Sequence, residues 1–317
     1  MKHSFEKTIE EAALCTGLLY CINRTVFALG ARGKSISGGQ SSSYHWKYGE
    51  IHYTKAGKGS PVLLIHSLNP FFSGNEWEGI RGKLAQMHTV YVIDLPGCGR
   101  SQKRRILYTN FLYADAVCCF VRDVIGSRTD VITSGDSSSI AVMADRRDPS
   151  LFRKFIMINP ETLDHMSHDP GLYELLLSGF MRIPVFGTSL YLMMTSRSVL
   201  RRAFHNYYFP NPTFWDEDML AQCYASAHRG GGSARFSCSS IIGGYTRLNV
   251  VFALKTMKKP VYLIGGADTP DIRQTLEGYR FFNKKFHREL ISQANRMPHL
   301  EFPGKTAARI LYDLGQE

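Results

Sequence analysis

A chain of 317 residues that is 44% hydrophobic and 21% charged has the make-up of an ordinary globular protein, one large core with room for an insert. Its formal charge of +11 is carried by short clusters (Lys103-Arg104-Arg105, Arg146-Arg147, Arg201-Arg202, Lys258-Lys259, Lys284-Lys285), not a long basic run, which argues against a nucleic-acid surface and for a solvated one, or for attraction to anionic lipid or an acidic ligand. Seven cysteines without metal-ligand spacing point to free thiols in a reducing, cytoplasmic compartment and to no metal site.

In chain order, residues 4 to 29 read as a helix interrupted at Asn23 and Arg24. Its apolar run is too short to span a bilayer, and the glutamates ahead of it contradict a secretion leader. Two readings stand: a helix docked on its own domain, which is preferred, or one in a membrane interface that gives weak membrane-surface association. Gly30 to Ser43 has the composition of a flexible linker, so residues 1–43 form an N-terminal appendage.

From Tyr44 the pattern changes. His45–Tyr48 and Ile51–Thr54 pair as a hairpin around Gly49-Glu50. Pro61–His66 and Thr89–Asp94 are apolar runs of strand length, separated by a helix around Glu76–Met87 and followed by another near Tyr108–Val124. A strand around Val131-Ile132-Thr133 then turns through Ser134-Gly135-Asp136-Ser137-Ser138-Ser139 into a small-residue helix. A strand that turns so tightly into a helix needs small flanking residues and leaves one residue strained at the apex. Gly135-Asp136-Ser137-Ser138-Ser139 fits G-x-S-x-G with Ser139 in place of the second glycine, which makes Ser137 the expected apex and nucleophile.

Phe155–Asn159 is a further strand. Helical patterns over Leu172–Met181, Ser189–His205 and Glu217–His228 then replace the alternation, so residues 161–248 are expected to form an inserted helical lid. Its histidines (His165, His168, His205, His228) and aromatics (Phe204, Tyr207, Tyr208, Phe209, Phe214, Trp215) read as lid packing, and the aromatics could also line an apolar cavity. Alternation returns with Pro260–Ile264, a helix at Ile272–Phe282, a strand at Arg288–Ser292 and a last helix at Gly304–Leu314. The expected core is therefore 44–160 plus 249–317, an α/β sheet, mostly parallel and covered on both faces, with active residues at the carboxyl ends of its strands.

Over about residues 44 to 315 the chain resembles the α/β-hydrolase family. The resemblance rests on the turn above, on Leu63-Leu64-Ile65-His66-Ser67-Leu68, on the D-x-x-G-x-G-x-S loop Asp94–Ser101, and on Pro298-His299-Leu300-Glu301-Phe302-Pro303. It implies a serine-type hydrolase for a small apolar ester or amide-like substrate, with no cofactor. Ser137 would attack, and the backbone N–H groups of Leu68 and Ser138 would hold the oxyanion, beside His66 and Ser67. The family's histidine position, seven residues before Pro303, holds Arg296, which stays protonated and cannot serve as a base. Its acid position, three residues past Gly266, holds Thr269. Asp268 or Glu161 could supply a carboxylate and His299 an imidazole, while Asp136 beside the apex opposes negative charge unless paired, for instance with Arg296. The alternative is a pseudoenzyme of the same fold that binds a ligand or partner.

Overall fold

Alternating side chains on the central strands dictate the layering. On β3 (Ser60–Ile65), Val62 and Leu64 enter one hydrophobic cluster while Leu63 and Ile65 enter another on the opposite face. The structure, a computed structural model, describes residues 2–32 and 40–316. Its sheet also contains β1 (Gln40–Trp46), β2 (Gly49–Ala56), β4 (His88–Ile93), β5 (Thr129–Ser134), β6 (Phe152–Ile158), β7 (Val261–Gly266) and β8 (His287–Ile291). The spatial order is β1-β2-β4-β3-β5-β6-β7-β8. Both pairings of β2 are antiparallel, and every pairing from β4 to β8 is parallel.

The helices begin with α1 (Lys2–Gly30), which lies against the helical insertion, and with α2 (Glu78–Leu84), α3 (Asn110–Phe120) and α4 (Ser137–Arg147) beside the sheet. Between β6 and β7 lie α5 (Leu163–Ser167), α6 (Leu172–Met181), α7 (Phe186–Met194), α8 (Arg197–Ala203), α9 (Glu217–His228), α10 (Arg235–Ile242) and α11 (Val251–Thr256). The chain ends with α12 (Ile272–Phe282), α13 (Pro298–Glu301) and α14 (Pro303–Gly315). Side chains of α3, α4 and α12 pack one sheet face through Val117, Ile140 and Leu276, and α2 and α14 pack the other through Ile80, Leu84 and Ile310.

Three elements differ from expectation. Strand β1 begins at Gln40, where a linker was expected, because Gln40–Ser43 pair with Lys55–His52 at the sheet edge, where one polar side is solvated. The rest of that linker, residues 33–39, lies outside the described residues. The helix expected over 189–205 is two, α7 and α8: Thr195 turns its hydroxyl back to the Tyr191 carbonyl (2.8 Å) and Ser196 is extended. Helix α1 is unbroken at Asn23, whose amide donates to Val185 O and Ser189 Oγ, both at 3.0 Å. Continuity makes Glu6–Gly30, 25 residues, long and apolar enough to cross a membrane by length and composition, contrary to the shorter run read from the sequence.

Candidate functional site

The turn that leaves β5 has its positive φ at Gly135 (+57°), and Asp136 already has helical backbone angles before α4 begins at Ser137. The apex is therefore Gly135, two residues before the one expected, and the small-residue frame is Thr133-Ser134-Gly135-Asp136-Ser137. A side chain placed at Gly135 would come within 2.9 Å of Ser67 Oγ, so the apex faces the loop after β3. Ser137 does not stand over the sheet. It is fully buried, and its hydroxyl donates to the Ser134 carbonyl (2.8 Å) and to the Ile65 carbonyl (3.2 Å), where a small residue lets α4 approach β3. Ser138 is also internal: its N–H donates to Gly135 O (3.1 Å) and its hydroxyl pairs with Thr133 Oγ1 (2.9 Å). With Gly135 at the apex, the amide that follows it is that of Asp136, not Ser138.

A cavity of about 340 Å³ opens at this edge, lined by Ser67, Leu68, Asn69, Gly135 and Asp136, by Asn159 and Glu161 after β6, by His165, Tyr207 and Tyr208 of the helical insertion, and by Thr269 and Arg296. Of the expected site residues, the structure thus brings together Ser67, Leu68, Asp136 and Arg296. Ser137, Ser138, His66, Asp268 and His299 lie outside the cavity lining.

Each exclusion has a physical reason. His66 is fully buried, with Nε2 accepting from Leu95 N–H (3.0 Å) and Nδ1 donating to Ser67 O (2.8 Å), which joins the loops after β3 and β4. His299 is also fully buried; its ring stacks on Trp77 (4.7 Å between centroids), and Nε2 donates to Glu76 Oε1 at 2.9 Å. The other oxygen of Glu76 accepts from Ser67 N–H (2.8 Å), so this pair supports the cavity loop from beneath. Burial alone would raise the Glu76 pKa, but His299 and a hydrogen bond from Ser134 hold it below the usual carboxylate range. Asp268 is exposed on the far side of its loop, and the inward neighbour is Thr269, whose hydroxyl accepts from the Asn159 amide (3.1 Å).

Asn159, which sequence reasoning treated only as the end of a strand, ties three loops together. Its Nδ2 also donates to Asn295 O (3.0 Å), its Oδ1 accepts from Gly266 N–H (2.8 Å), and its φ of +41° is one that asparagine tolerates better than most residues. Glu301 completes the cradle of Arg296 by accepting the N–H groups of Asn295 (2.8 Å) and Met297 (3.0 Å) on either side of it. The Arg296 guanidinium sits 3.9 Å above the Tyr207 ring centroid. Among the described residues no ion pair joins it to Asp136.

Asp136 is paired instead with Glu161. Burial, the negative charge of Glu161 and a hydrogen bond between the two carboxyls push Asp136 up to about 7, against the pull of Arg247 and of its own backbone N–H. The amide beside the apex is therefore met by a carboxyl of the protein itself. The cavity offers a guanidinium, a proton shared by two carboxyls and several neutral hydrogen-bonding groups, with no side chain on its apex. Among the described residues no group of three His, Cys, Asp or Glu could hold a metal ion.

No family model matches the chain. A stretch of 104 residues, 33% of the chain, is 29% identical to uncharacterised proteins of Mycobacterium tuberculosis and Mycobacterium bovis, and it spans only 30% of their length. Among solved structures, the chain is similar to a serine hydrolase involved in carbazole degradation, with TM-score 0.72 and 15% identity over 87% of this chain and 99% of that one. It is also similar to a membrane phospholipase A, a bacterial virulence factor, with TM-score 0.69 and 18% identity over 99% of this chain and 98% of that one. The order of strands, the turn after β5, the cavity at the carboxyl edge and these similarities agree: the chain has the α/β-hydrolase fold.

Proposed function

We propose that this protein is a non-catalytic representative of its fold that binds a small carboxylate-bearing ligand in the cavity at Gly135. The observation that supports this most is the apex itself: a glycine has no side chain with which to attack, and Ser137, two residues on, spends its hydroxyl on two carbonyls. Arg296 and Thr269 occupy the places where the family resemblance calls for a base and an acid, and neither can take up a proton at neutral pH. What remains is a recognition site. A guanidinium fork that is stacked on Tyr207 and free of any carboxylate partner among the described residues is suited to bidentate contact with a carboxylate. The proton shared by Asp136 and Glu161 suits a hydroxyl or carbonyl elsewhere on the same ligand. Asn69 and Tyr208, joined at 3.0 Å, bring the insertion across the opening, which supports its reading as a lid.

Thermal-shift titrations with acetate, lactate and other small 2-hydroxy carboxylates test this. At least one should give a saturable rise in Tm, and Arg296→Gln should weaken it by about tenfold or more, the loss of one charge-assisted bidentate contact. A panel in which no carboxylate gives a saturable shift, or in which Arg296→Gln changes nothing, counts against the reading.

A further inference from the structure

Helix α1 uses only its last turns to hold the body. Asn23, Phe27 and Gly30 are buried there, against the turn between α6 and α7, the Tyr191 ring (6.2 Å between centroids) and His228. No residue from Glu6 to Ile22 is buried, so a rod of about 25 Å stands clear of the domain. Leu14, Leu18, Ile22 and Leu29, spaced by four and seven, form one exposed stripe, with Leu14 76% exposed, and the docked residues belong to a different stripe. The eleven residues from Ala12 to Ile22 include no charge, so covering one side of the rod would still leave an uncharged side to water.

A second apolar surface continues from the same joint. The Val185 carbonyl that accepts from Asn23 lies in the turn where α6 and α7 meet at 111°. Ile183 and Phe186, on either side of Val185, are exposed, as are Leu172 (74%), Tyr173 (76%), Leu176 and Phe180 along α6. Arg24 and Arg32 are exposed at the base of the rod, on a chain of net charge +11.

We propose that α1 and the outer face of α6–α7 form a single surface that seats the protein on an anionic lipid bilayer, α1 entering the hydrocarbon and α6–α7 resting at headgroup level. A bilayer suits these observations better than a second copy of the chain. A paired helix needs one apolar seam and a polar back, whereas this segment is uncharged all round and has a second apolar element at its base. Positive charge at the base meets anionic headgroups at the depth where arginines snorkel. The α6–α7 part of this surface belongs to the insertion that borders the cavity, so seating would bring the cavity close to the membrane.

The test is co-sedimentation of the full chain with vesicles of phosphatidylcholine, with and without phosphatidylglycerol. The variants are Leu14→Glu/Leu18→Glu and Leu172→Glu/Leu176→Glu, all at exposed positions outside the cavity. Wild type should pellet with vesicles, more so with phosphatidylglycerol, and each double variant should lower the partition by about tenfold or more while melting like wild type. Equal sedimentation of wild type and both variants would overturn the proposal. So would a dimer that forms without vesicles and that Leu14→Glu/Leu18→Glu dissolves, because the surface would then be a self-interface.

Discussion

Replacing His299 with alanine is expected to cost about 3–5 kcal/mol of stability at neutral pH, because the buried Glu76 carboxylate loses its hydrogen-bonded partner. The Glu76 carboxylate accepts from His299 Nε2 (2.9 Å) and from Ser67 N–H (2.8 Å), and both side chains of the pair are fully buried. Loss of the imidazole leaves the charge without its main partner and empties the slot against Trp77. The pH dependence identifies the cause. Glu76 is held low in the folded protein, so it contributes stability that is present above the ordinary glutamate range and lost as pH falls through the folded value. In His299→Ala that contribution is gone. The gap between the variant and wild type should therefore be widest at neutral pH and narrow below about pH 4.3, where glutamate takes up its proton. Urea unfolding at pH 7 and pH 4 measures both values; a loss of the same size at both would mean that His299 matters only for packing.

Asp136→Asn is expected to have the opposite sign. Asp136 titrates at about 7 in the folded protein, above its value of about 3.9 in an unfolded chain. Between those values the folded state holds a proton that the unfolded state has released, so stability falls as pH rises from about 4 to about 7 and is level above. Asparagine needs no proton to donate to Glu161. The variant should therefore gain about 1–3 kcal/mol over wild type at pH 8, and much less at pH 5. Urea unfolding of both proteins at the two pH values decides this. Parallel curves with no crossing trend would mean that the two carboxyls do not share a proton.

The strands were legible because a parallel sheet covered on both faces writes each strand as a short apolar run; Pro61–His66 and Thr89–Asp94 overlap β3 and β4 almost residue for residue. Of the edge strand β1 only the end at His45-Trp46 was, as half of the expected hairpin, since the serines before it carry no such run. Arg296 and Thr269 were found by counting from Pro303 and Gly266, and both line the cavity. The apex was missed because two overlapping small-residue frames share this turn, Thr133–Ser137 and Gly135–Ser139, and the second has a serine at its centre. The tolerance of glycine for positive φ was the usable signal. Glu76 and His299 lie 223 residues apart, and no local pattern joins them.

Labelling by a fluorophosphonate probe tests most directly whether a glycine has taken the nucleophile's place. Wild type and Ser137→Ala should both remain unlabelled, at a probe concentration that marks an active serine hydrolase to completion. Labelling of wild type that disappears in Ser137→Ala would put a reactive hydroxyl back at the apex and contradict the assignment of Gly135 to it.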